Sequence, residues 1–227
     1  MDFDAIRAEL DQEMAWRVEE IYFFQNQGNL LNEELKKRYR RALILILYSH
    51  FEGFCKFAFL HYVQILNRSG VRCRDANYAL AAATLTVAFH GLRDTQKKNP
   101  FYGKQLPDDP ILHRFARERE FIERMDNITS SVLCIPDEVV DTESNLKADV
   151  LKATLYKLGL DPSQFEDIYS DIGQLVGLRN NIAHGATKKG IDSKDYDAYE
   201  RAAFRVMTKV ADDIMEALKN NSYLRAP

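Results

Sequence analysis

Three cysteines, Cys55, Cys73 and Cys134, are too few and too scattered for a disulfide framework, and no C-x-x-C pair suggests a redox or zinc site. Ten glycines and six prolines exclude a collagen-like chain and argue against a β-sandwich or a disordered tail. Neither sign of charge dominates: 31 Lys and Arg face 34 Asp and Glu, so nucleic acid could be held only by a local patch. The longest unbroken apolar run, Ala42 to Tyr48, is far short of a bilayer span, and His50, Glu52, Lys56 and His61 follow it. The opening Met1-Asp2-Phe3-Asp4 is acidic where a secretory signal is basic. These absences predict a reduced, cytoplasmic chain without a membrane segment.

What is present is helical periodicity in a 227-residue chain, long enough to bury roughly 70% of its unfolded surface. A first helix is predicted from Phe3 to about Gln25. A second, from about Asn32 to Asn67, opens on a charged block and then turns apolar nearly all round, as a central or interface helix does. Asp75–Leu92, Ile111–Asn127 and Asn145–Leu158 read as further helices. Lys97–Asp109 reads as a loop, and Ser130–Asp141 as an extended connector limited by Pro136. Asp161-Pro162-Ser163-Gln164 has the form of a helix start, with the helix running to about Ala183 and stopping at Gly185. A last helix is predicted from Asp192 or Ser193 to about Asn220. The expectation is one all-α domain over 1–227, a helical bundle with a helical and loop insertion at about 68–144.

One residue breaks the pattern. Ile168, Ile172, Leu175, Arg179 and Ile182 step by four and three along an apolar seam, and Arg179 occupies a seam position. A guanidinium cannot shed its charge, so it needs a partner, a water-filled cleft or an anionic ligand there. His184 follows five residues later, about 140° round an ideal helix. The two converge if the helix loosens before Gly185, if the long Arg side chain reaches across, or if a second subunit supplies one of them. With 5 His in the chain, an Arg followed by a His at this spacing is expected about 0.4 times by chance, and it occurs only here.

The segment Arg179-Asn180-Asn181-Ile182-Ala183-His184 resembles the R-N-x-x-x-H signature of the HEPN superfamily. Ser49-His50-Phe51-Glu52-Gly53-Phe54-Cys55-Lys56 is similar to the S-x-x-E-x-x-x-K stretch of prokaryotic HEPN proteins of the RiboL-PSP and MAE-like kind. The resemblance implies a homodimeric, all-α endoribonuclease that needs no metal or cofactor, often a toxin or defence effector with an antitoxin protein as partner. It also implies Arg179 and His184 as the catalytic pair, with Asn180 orienting them. Ser49, Glu52 and Lys56 would then be supporting or dimer-interface groups. Some relatives carry a modifiable Tyr two residues after the His; here that position is Ala186.

The residue types suit the chemistry. Metal-free RNA cleavage uses the 2′-hydroxyl as nucleophile, which asks for a base near neutral pKa and a fixed cation at the phosphate. One copy supplies one such His, so a two-fold dimer would supply base and acid together. Lys36, Lys37, Arg40 and Arg41 form one basic cluster, and Lys188 and Lys189 a second, either of which could guide RNA. Plainer accounts stand beside these. Arg179, Asn180 and His184 could be a polar helix end, or line a non-catalytic, nucleotide- or protein-binding dimer cleft. Glu52 and Lys56, four apart, could be an ordinary intrahelical ion pair, and the basic block a solvated face. No His, Cys or carboxylate set has metal-ligand spacing.

Overall fold

Asp2 starts the first helix by accepting the Ala5 N–H at 3.0 Å, one of the donors a helix leaves unsatisfied at its N-terminus. In the computed structural model, which describes residues 1–100, 110–141 and 145–225, this helix, α1, spans Phe3–Gly28. Asn32 plays the same part for α2 (Glu33–Arg68), its Oδ1 taking the Leu35 N–H at 3.0 Å. Among the described residues six further helices follow: α3 (Tyr78–Thr84), α4 (Thr86–Arg93), α5 (Pro110–Ser130), α6 (Ala148–Lys157), α7 (Tyr169–Ala183) and α8 (Ser193–Lys219). The described residues contain no strand, only the isolated bridges Arg72–Val132 and Ala76–Leu224, so the fold is all-α as expected.

The described residues form two compact units. The first comprises residues 1–62, 140–156 and 160–222: α1, most of α2, α6, α7 and α8. Its core is built on α2, where Leu47, Phe51, Phe54 and Phe59 are fully enclosed, and on the α8 stripe Ala203, Met207, Val210, Ile214 and Leu218. Arg7 on α1 reaches Asp212 on α8 at 2.6 Å, and the Tyr22 and Phe204 rings meet edge to face. The second unit comprises 63–139, 157–159 and 223–227, in which α4 lies along α5 with Phe89 stacked on Phe121.

Three sequence expectations need correction. The helix predicted over Asp75–Leu92 is a 3₁₀ turn (Cys73–Asp75) followed by α3 and α4, which part at Leu85 between the β-branched residues Thr84 and Thr86. The start signal at Asp161 is used by a 3₁₀ turn instead: Asp161 Oδ1 accepts both the N–H and the hydroxyl of Ser163, and α7 begins only at Tyr169. Counting unbroken apolar residues also understated α2, which reaches a mean hydropathy of 1.5 and is long enough to cross a membrane. Its His50, Glu52 and His61 side chains are largely covered while Lys56 is exposed, and 56% of that window is buried within the chain. Most of the loop predicted at Lys97–Asp109 lies outside the described residues.

Candidate functional site

The motif sits where α7 ends. Gly185 adopts φ +67°, a left-handed conformation that costs glycine little, and the chain turns there. The Gly185 N–H bonds to the Ile182 carbonyl at 3.1 Å and the Ala186 N–H to the Asn181 carbonyl at 2.8 Å, the paired pattern of a Schellman stop. His184 is therefore the last residue before the reversal. It is exposed, and among the described residues its imidazole makes no hydrogen bond or ion pair.

Arg179, five residues earlier, lies against α2. Its Nη1 donates to Asn180 Oδ1 at 2.7 Å, its Nη2 lies 3.7 Å from Glu52 Oε2, and its guanidinium carbon stands 4.2 Å from the Tyr48 ring centre. The charge on the seam is thus met by a carboxylate and an aromatic face of the same chain, with both charged side chains mostly buried. Asn180 extends the network, its Nδ2 donating to Asn145 Oδ1 at 3.4 Å.

Glu52 does not pair with Lys56, as the four-residue spacing suggested. Its partner is Arg179, and its other oxygen, Oε1, is buried without a hydrogen bond among the described residues. Ser49 and Lys56 are exposed on α2, and their side chains make no hydrogen bond or ion pair among the described residues. The structure brings Glu52 to the motif and leaves Ser49 and Lys56 outside it.

The basic block is not a uniform solvated face. Lys36 pairs with Glu33 at 3.0 Å and Lys37 with Asp192 at 2.7 Å. Arg40 Nη1 donates to the Ile191 carbonyl at 3.2 Å and Arg41 Nη2 to the Thr187 carbonyl at 2.8 Å. The opening turns of α2 therefore lie against the loop that follows His184, and the two basic clusters, far apart in sequence, meet there. Lys188 and Lys189 on that loop are exposed.

Two residues of the site were missed in the sequence. Tyr48 lies beneath Arg179, and its phenol oxygen accepts the Leu146 N–H at 2.7 Å. Burial, reinforced by the Glu52 charge, pushes its pKa well above the usual tyrosine value, so it stays neutral. Its position four residues before Glu52, on one face of α2, was the available signal. Asn145 gave none.

The RiboL-PSP-HEPN family model matches residues 12–216, nearly the whole chain. No curated protein and no solved structure matches.

Proposed function

The chain belongs to the RiboL-PSP-HEPN family, whose functions are those of nucleases or are related to nucleotides, and from that premise we propose that it is a metal-independent endoribonuclease working as a homodimer. In the proposed reaction His184 accepts the 2′-hydroxyl proton and O2′ attacks the adjacent phosphorus. The P–O5′ bond breaks, leaving a 2′,3′-cyclic phosphate, and O5′ takes a proton from the partner's His184. Arg179 offsets the charge that grows on the phosphate oxygens, with Asn180 holding its guanidinium. DNA, lacking the 2′-hydroxyl, is inert.

The observation that carries this reading is the His184 imidazole at the exposed end of α7, without a partner among the described residues and five residues after a fixed guanidinium. The test is incubation of the purified protein with RNA in EDTA, beside Arg179→Ala and His184→Ala. Cleavage that survives chelation and disappears in both variants supports the enzyme. A role as a cytoplasmic toxin or defence effector, restrained by an antitoxin protein, belongs to the same proposal. Growth arrest on expression that His184→Ala abolishes is its measure.

A second reading is favoured by one observation: Glu52 and Tyr48 already satisfy the Arg179 charge within the chain. On that reading the protein is a non-catalytic dimer that binds a nucleotide or a protein. Wild-type protein that leaves diverse RNAs intact at high concentration while binding nucleotide would decide for it.

A further inference from the structure

Arg40 and Arg41 look, by composition, like part of an RNA-binding patch. Their heads are committed elsewhere. From Thr187 to Asp192 the chain runs back along the first turns of α2 and is held there at several points. Arg41 donates to Thr187 O, Arg40 to Ile191 O, the Ile191 N–H donates to Lys37 O at 2.9 Å, and Lys37 pairs with Asp192. Ile191 is buried. The approach is close enough to require a glycine: a Cβ on Gly190 would lie 2.8 Å from Lys37 Cβ and 3.3 Å from its carbonyl carbon. The Nε of Arg41 is buried there, without a hydrogen bond among the described residues.

The imidazole of His184 has no anchor of its own among the described residues, so its direction is inherited from the turn that carries it. That turn is fixed on one side by the Schellman bonds and on the other by Arg41, three residues on. Arg179 is referred to the same helix further along, at Tyr48 and Glu52. Positions 41, 48 and 52 fall within about 40° of one another on a helix, so both halves of the motif are registered against one stripe of α2.

We propose that Arg41 is a positioning residue, which pins the turn after α7 and thereby aims His184, and that it does not contact RNA. The consequence for cleavage rests on the ribonuclease reading; the pinning itself does not. The loop return from Thr187 to Asp192 serves the site by holding still, since misplacing a reacting group by about 1 Å can cost on the order of a hundredfold in rate.

Hydrogen exchange and single-turnover cleavage of Arg41→Met and Arg41→Lys test this. In Arg41→Met the amides of Ala186 and Ile191 should exchange about tenfold faster, as expected for the loss of one charge-assisted hydrogen bond, with α1 and α8 unchanged. Its cleavage rate should fall by about tenfold or more, while RNA affinity and its salt dependence hold, and Arg41→Lys, which keeps a donor, should recover part of both. Unaltered exchange in Arg41→Met overturns the proposal. So does weaker RNA binding with a shallower salt slope, the signature of a lost phosphate contact. If the wild-type protein cleaves no RNA, the ribonuclease reading fails while the exchange result still decides the pinning.

Discussion

Arg179 lies over the ring of Tyr48 at 4.2 Å and beside Glu52 at 3.7 Å, so a residue near the end of α7 is fixed by two residues one turn apart on α2. Of the three, only the tyrosine is uncharged, and it is also the one most fully enclosed. The arrangement explains how a permanent cation is tolerated on an apolar seam.

Glu52→Gln should therefore destabilise the protein by about 1–3 kcal/mol, because it removes a carboxylate charge that faces a mostly buried guanidinium. Lys56→Ala, which removes an exposed side chain without a partner among the described residues, should stay within about 0.5 kcal/mol of wild type. Urea unfolding of both variants checks this. Equal losses would restore the intrahelical pair that the spacing suggested.

The phenols make a prediction about alkaline pH. Burial pushes Tyr169 up to about 12 and Tyr48 higher still, from an ordinary value of 10.0. Above pH 10 the unfolded chain releases these protons while the folded chain keeps them. The stability these groups contribute is thus complete below pH 10 and is lost progressively as pH rises beyond it. Phenolate absorbance of these tyrosines should appear together with loss of helical circular dichroism. Their ionisation near pH 10 in protein that is still folded would contradict the burial.

Two glycine substitutions separate close approach from open space. Gly190→Ala should cost about 1–3 kcal/mol, since its Cβ would collide with Lys37. Gly177→Ala, in the middle of α7 with nothing within 4 Å, should gain about 0.5–1 kcal/mol from helix propensity alone. Thermal unfolding of the two variants should move in opposite directions.

If the loop lysines contact RNA, removing Lys188 and Lys189 together should lower the salt slope of single-strand binding by about 1.4, roughly 0.7 per phosphate contact. Lys37→Ala should leave the slope unchanged, because that charge is already spent on Asp192. Binding titrations across a range of salt concentrations measure both.

How much of this was readable beforehand depended on whether a signal was local. The two long N-terminal helices were placed to within three residues at each end, because good helix formers run unbroken between Asp2, the Gly28–Asn32 break and Arg68. The stop at Gly185 was equally plain. The start of α7 was not: Asp161, Ser163 and Gln164 have the composition of a helix cap, and the difference lies in Tyr169 and Phe165, whose burial shapes a separate turn. At the site, Arg179 announced itself as a misfit, yet its partner is 127 residues away in the chain and nothing in the periodicity couples the two. For the same reason Arg40 and Arg41 looked like free surface cations: their acceptors are backbone carbonyls, which sequence composition does not report.

Since α2 runs without interruption past every one of these attachment points, it behaves as a ruler for the motif. Arg41 and Glu52 are separated by about 16 Å of helical rise. Inserting a single residue between them would swing one end by about 100° relative to the other, although no side chain of the motif had been touched. Tolerance to length change should therefore be lower in this stretch of helix than in the loop it secures.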